Sequence, residues 1–424
     1  MYTKKNRKIT LSLLLVCGLV MLALPASAVP TVSAAGSIGM VCTNGPAFNL
    51  KTATGYIYTP DGNSIFMWGF ATSSGSFQMP GPVLCVNQGD TVTISLTNPT
   101  KPNGGPGENV SIVFPGQTGV TASGGVAGLF TKEAPSGGSV SYTFTAGEPG
   151  TYLYESGTKL EKQIQMGLYG VLVVRPAGFG FGSNYAYNHS STQFNPSREY
   201  LIVLNEIDPD MHRAVELGQP HDFSTFDDDY WTVNGRSFPD TISDNSVAWL
   251  PSQPYGALVK VEPYDPSSNP LPALIRYANA GMVNHPFHPH GNHLRVIARD
   301  GRLLRGPGGE DTSFEDFTRT IGSGQTYDLL FKWDDVDAWV TGGAAVPVTI
   351  PGLQNLVFKD GLTFYSGDPQ LGQQGELPVG VTSYNQCGEF YFPWHSHALF
   401  EFTNFNEGFG GLATVLRVDP PGGC

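Results

Sequence analysis

Four of the chain's nine histidines fall within His285-Pro286-Phe287-His288-Pro289-His290-Gly291-Asn292-His293, and a second pair follows at His395-Ser396-His397. Side chains of an extended strand return to the same face every two residues. His288 and His290 therefore aim at one point, and so do His395 and His397. Neutral imidazole nitrogen is the commonest protein ligand for copper and zinc. Brought together, the two pairs would make a four-imidazole metal site. Both metals stay open on residue type alone.

Such pairs need strands to carry them, and the sequence supplies strand signals. Apolar and polar residues alternate over 92–96 and 139–144, and apolar runs fill 170–174 and 200–204. Clusters such as Pro102-Asn103-Gly104-Gly105-Pro106-Gly107 separate them as turns. Short strands at this spacing point to an all-β chain built of β-sandwiches. Residues 38–176 read as one domain and 177–197 as a polar linker. Residues 198–420 read as a second domain, with insertions at 205–229 and 335–385 and with both histidine motifs. No amphipathic helix longer than a few turns is expected. The endings Gly170-Val171-Leu172-Val173-Val174 and Thr414-Val415-Leu416-Arg417-Val418 are alike, as in a duplicated domain.

The 424 residues allow two to three domains, and 53 Gly, 33 Pro and 14% charged residues suit a turn-rich β protein. Aromatic residues at 12% argue against disorder. A formal charge of -13 disfavours nucleic acid and anionic membranes as partners. Lys4, Lys5, Arg7 and Lys8 precede an apolar run, Leu11 to Leu24, and Ala26-Ser27-Ala28. This is the pattern of a cleaved signal peptide over 1–28 rather than a transmembrane segment. The expected destination is secretion, or the cell envelope or periplasm. Cys42, Cys85, Cys387 and Cys424 would remain after cleavage, an even number suited to an oxidising compartment. Three pairings are open, and proximity in sequence favours Cys42–Cys85 and Cys387–Cys424.

The phrase His-Pro-Phe-His-x-His-Gly with a later His-x-His resembles the last cupredoxin domain of the multicopper oxidases. Gly81-Pro82-Val83-Leu84, Val233-Asn234-Gly235-Arg236, Arg276-Tyr277-Ala278-Asn279-Ala280-Gly281 and Ser323-Gly324-Gln325-Thr326-Tyr327-Asp328 extend the likeness over roughly residues 80–418. The resemblance implies two cupredoxin-like Greek-key sandwiches and copper as cofactor. In the family, a type 1 copper held by a cysteine and two histidines passes electrons to a three-copper cluster held by eight histidines. Carried over, His288 matches a type 2 ligand, and His290, His395 and His397 match type 3 ligands. His285 matches the first type 1 histidine. The cysteine position is Ser396, whose hard hydroxyl cannot replace a thiolate, and the second type 1 histidine falls near Glu401. The first domain's histidine positions fall around Asn109–Val113 and at Tyr154–Gly157, yet no histidine precedes His189.

The resulting expectation is one copper ion at His288, His290, His395 and His397, with zinc as the other candidate and without type 1 copper. Four-electron oxygen reduction by this chain alone is disfavoured. Two rivals stand beside it: a structural or surface-assembly module, homo-oligomeric or envelope-attached, with a relic site, and an oxidase completed by a partner protein. In the relic case the histidines would pack against Phe287 and Trp394. His285 reads as an interior hydrogen-bonded residue, His293 as one that orients a ligand, and Glu401 as an additional carboxylate. His189, His212 and His221 read as solvated.

Overall fold

The computed structural model describes residues 37–180, 184–334, 356–357, 383–384, 390–405, 407–419 and 422–423. Residues 1–36, where the signal peptide is expected, Cys387, Cys424 and nearly all of 335–385 lie outside them.

In the first half, strands Ser64–Thr72, Ala47–Tyr58, Thr91–Asn98, Gly138–Thr145 and Thr121–Gly124 form one sheet in that order. Thr43–Asn44, Leu84–Asn87, Tyr169–Arg175 and Gly150–Glu155 form the facing sheet. The alternation in Thr91–Asn98 turns Val92, Ile94 and Leu96 inward. There they meet Tyr152, Tyr154, Leu172 and Val174 of the opposite sheet, so the two layers share one core. Cys42 and Cys85 are disulfide-bonded, as sequence proximity suggested.

The second half repeats the plan. One sheet runs through Leu294–Arg299, Thr326–Phe331, Ala273–Asn279, Glu199–Ile207 and Tyr230–Val233. The other runs Val259–Val261, Ala413–Val418, Phe390–Ser396, His285–Pro289 and Arg319–Ile321. Phe287, Trp394 and Leu416 of the second sheet pack on Ile275, Tyr277 and Leu329 of the first. Glu199–Ile207 is buried at all nine positions because a second core lies on its other face. In that core Leu201 and Val203 meet Val83, Leu153 and Val171 of the first half. Strand assignments at 91–98, 138–145, 169–175, 199–207 and 413–418 follow the apolar patterns read from the sequence. The chain is all-β, with cupredoxin-like sandwiches.

The stretch after Arg175 is anchored rather than loose. Tyr187 and Phe194 are buried against Leu274, Ile297 and Leu330. Tyr187 also donates to Asp328 Oδ2. Asp328 Oδ1 accepts from Thr151 (2.6 Å) and lies 3.2 Å from Arg276, which pairs in turn with Glu199 at 2.7 Å. Glu199 is also paired with Arg175 at 2.7 Å, so a buried four-charge network spans both halves. The helix Pro209–Leu217, capped by Asp208, is the longest helix among the described residues. It buries His212 completely, with Nδ1–H donated to the Phe66 carbonyl at 2.6 Å. His221 is largely covered too, 3.8 Å from Asp208. Both residues correct the expectation of solvated histidines; of these three, His189 is the exposed one. The loop sequence around them is polar, but the helix lays its inner face on the first half.

Candidate metal centre

Strands His285–Pro289 and Phe390–Ser396 run antiparallel with His288 directly opposite His395 and Phe287 opposite Ser396. His397 N–H bonds the Pro286 carbonyl and His290 N–H bonds the Pro393 carbonyl, which pins the register at both ends. Paired residues in an antiparallel ladder share a face. His288, His290, His395 and His397 therefore gather on one side. Gly291, at φ 99°, turns the chain directly after His290 in the left-handed region that glycine tolerates.

Parity sends Phe287 and Trp394 to the other side, where both are fully buried and Trp394 Nε1–H donates to Tyr277 at 2.9 Å. They do not pack on the four histidines, as the relic reading required. Phe317 and Phe402 stand beside them instead, with ring centres 6.1 Å from His288 and 5.2 Å from His395.

Ring centres lie 4.7 Å apart for His288–His290, 5.2 Å for His288–His397 and 5.3 Å for His290–His395. The spacing is 5.7 Å for His288–His395 and 6.0 Å for His395–His397. Four imidazoles on one tetrahedral ion, with bonds of about 2.0 Å, would place their centres about 5 Å apart. His290 Nε2 and His395 Nε2 are 3.2 Å apart, against about 3.3 Å for two nitrogens on such an ion. Among the described residues no three His, Cys, Asp or Glu side chains already close on a single point. Completing the set needs His288 and His397 to turn inward.

The protonation states suit a metal. His288 Nδ1–H donates to the Phe317 carbonyl at 2.6 Å, and His395 Nδ1–H donates to the Ser396 carbonyl at 2.7 Å. Each neutral ring thus carries its lone pair on Nε2, and that of His395 faces His290 Nε2. Burial lowers the His290 pKa to about 4, with the other three histidines adding to the effect. Burial likewise lowers His288 and His395. An open cavity of about 500 Å³ adjoins the site, lined by His288, His290, His293, Phe317 and Phe392. His293 lies at its rim, mostly exposed, with Nδ1 4.0 Å from Glu315; no contact ties it to the other four.

His285 has the opposite parity and is fully buried. Nε2 lies 3.0 Å from Glu206 Oε2, and Nδ1 lies 3.1 Å from Glu401 Oε2, an ion-pair contact rather than an aligned hydrogen bond. Burial alone would lower its pKa, but the two carboxylates outweigh it and raise it to about 9. Ser396 Oγ–H donates to the same Glu401 Oε2. Glu206 was not singled out from the sequence, and no spacing signal pointed to it. It is the second-last residue of a fully buried strand, 79 positions from its partner.

A multicopper oxidase family model matches residues 71–178. Laccase-3 of Oryza sativa subsp. japonica is 26% identical over 265 residues, which is 61% of this chain and 39% of that protein. L-ascorbate oxidase of Cucurbita pepo var. melopepo is 36% identical over 101 residues, 23% of this chain and 17% of the relative. The blue copper oxidase of Nitrosomonas europaea shares the fold at a TM-score of 0.57 and 18% identity, covering 88% of this chain and 85% of that one. The multicopper oxidase mgLAC does so at 0.58 and 19%, covering 88% and 86%. These matches bear out the resemblance to multicopper oxidases read from the sequence. The chain spans about two fifths of the length of laccase-3.

The two first-half segments expected at the family's histidine positions do meet. Val113 and Glu155 exchange backbone hydrogen bonds of 2.8 and 3.1 Å. Their side chains are other than imidazole. Ser111 bonds Thr158 at 2.8 Å, Thr158 donates to Glu133 at 2.9 Å, and Ser156 donates to Gln163 at 2.7 Å.

Proposed function

We propose that this chain is an exported copper-binding protein holding a single copper ion through His288, His290, His395 and His397, without a type 1 centre. The observation that carries the reading is the 3.2 Å approach of His290 Nε2 to His395 Nε2 on paired strands. Copper would supply one-electron chemistry there, and the protein supplies four imidazoles and an open approach. Zinc accepts the same ligands, and copper is preferred on the resemblance to multicopper oxidases. Ser396 in the cysteine position and Glu401 near the second histidine position support the loss of type 1 copper. Laccase-type turnover by the chain alone is not expected, because Ser111, Thr158 and Ser156 stand in the first half's ligand region. We take 38–176 and 198–420 as its two cupredoxin domains. The N-terminal pattern and the Cys42–Cys85 disulfide support export.

The test is copper stoichiometry with electron paramagnetic resonance on mature protein, reconstituted and then dialysed. One retained copper with a type 2 spectrum and no intense blue absorbance is expected. His288→Ala and His395→Ala should each abolish retention. Three or more coppers with oxidase turnover would overturn the reading.

A second reading, self-assembly of a cupredoxin module, is favoured by Leu129 (84% exposed) and Phe130 (62%), adjacent and uncovered. Sedimentation of wild type and Leu129→Ser separates it: assembly that is copper-independent and lost in the variant supports it.

A further inference from the structure

Between the two copper-site histidines His395 and His397 sits Ser396, a buried residue whose hydroxyl points away from the cavity. Its Oγ–H goes to Glu401 Oε2, and its oxygen accepts the Ala398 N–H at 3.2 Å. Its main-chain carbonyl accepts His395 Nδ1–H at 2.7 Å. One residue thus fixes the turn that carries both histidines and also the ring plane of one of them.

Ser396 is itself held from behind. Glu401, 2% exposed, lies against His285 Nδ1, and Glu206, fully buried, lies against His285 Nε2. Glu206 Oε1 accepts the Met282 N–H, so the far end is tied to the backbone entering the histidine strand. Space for that carboxylate exists only because residue 281 is glycine. A Cβ on Gly281 would lie 1.8 Å from Glu206 Oε2. The two carboxylates approach opposite nitrogens of one imidazole, so they bracket the ring rather than converge on a shared ion position. A protonated ring, which these carboxylates favour, offers an N–H to each.

We propose that Glu401 and His285 are positioning residues for the copper site, acting through Ser396, with Glu206 holding the far end of the chain Glu206–His285–Glu401–Ser396. The proposal rests on the copper reading given above and deepens it. Partners that orient metal-bound histidines change metal affinity by roughly ten- to a hundredfold when removed, because the ligands must then find their own geometry. A chain that only filled space would change folding stability and leave the metal untouched.

The experiment measures Cu(II) affinity by chelator competition and the copper hyperfine splitting by electron paramagnetic resonance, with the melting temperature of each apoprotein recorded in parallel. Glu401→Ala should weaken copper binding about tenfold or more and shift the hyperfine splitting. Ser396→Ala, a smaller change that keeps the fold, should do the same, and the double variant should be no worse than either single one. Glu401→Gln keeps an acceptor for Ser396 and should restore most of the affinity. Variants with lowered melting temperature but wild-type affinity and spectrum would overturn the positioning role while leaving the copper site standing. Additive losses in the double variant would overturn the link through Ser396. A wild-type protein that retains no copper would overturn both readings.

Discussion

Arg276 offers a sharp test of how the two halves are held together. Its side chain is 1% exposed and faces Glu199 Oε1 at 2.7 Å, Thr151 Oγ1 at 3.0 Å and Asp328 Oδ1 at 3.2 Å. Replacing it with Met keeps the apolar stem and removes the charge. Glu199 retains Arg175 as a cation, whereas Asp328 keeps only the hydroxyls of Thr151 and Tyr187. The loss therefore concentrates on one stranded carboxylate. Breaking a buried pair in this way costs about 3–5 kcal/mol, and with Glu199 still paired the lower end, ~3 kcal/mol, is expected. Asp328→Asn alone should cost a similar ~3 kcal/mol by leaving Arg276 under-compensated. Together the two changes remove both charges, so the combined loss should fall short of the sum of the single losses by roughly 2 kcal/mol. Urea unfolding followed by tryptophan fluorescence gives all four corners of the cycle. Additive losses would refute the reasoning, because they would mean that Asp328 is not stranded when Arg276 is gone.

Other outcomes follow from single groups. The raised His285 pKa means that the folded state holds a proton which the unfolded chain has released. Its stabilisation is present in full below about pH 6.5 and is lost as pH rises toward 9, on the order of 3 kcal/mol. The apoprotein melting temperature should fall over that window, and Glu401→Gln should flatten the fall. His212 has the opposite sign: burial lowers its pKa to about 4, so its contribution disappears as pH drops from 6.5 toward 4. His212→Gln should soften the acid limb of the same melting curve. Reducing Cys42–Cys85 frees a loop with a sequence separation of 43, a loss of about 4 kcal/mol by chain entropy. Melting with and without reductant measures it, and Cys42→Ser should reproduce the reduced protein.

Much of this was legible in order along the chain. The two-residue period of His288/His290 and of His395/His397 is a local property of extended backbone, and it fixed which side chains share a face before any partner strand was known. The alternation at 92–96 likewise fixed which residues enter the core. Ser396 between two histidines, and the lack of any histidine before His189, are facts of composition that no folding arrangement can alter. Parity also places His285 opposite to His288, although its surroundings could not be read from it.

Tertiary structure decided the rest. The contact of His290 with His395 joins residues 105 positions apart, and its geometry depends on one ladder register. A shift by a single residue would have put Ser396 opposite His288 and turned the second pair inward. The meeting of Glu206 with His285 depends on a strand of the facing sheet ending at the right height and on a glycine leaving room at 281. His212 looks like a loop histidine in the sequence and becomes a core residue because its helix docks on the first half. Side-chain period is set by neighbouring residues and can be read from them. Register, docking and the pairing of distant charges are set by interactions summed over the whole chain, so they appear only once it has folded.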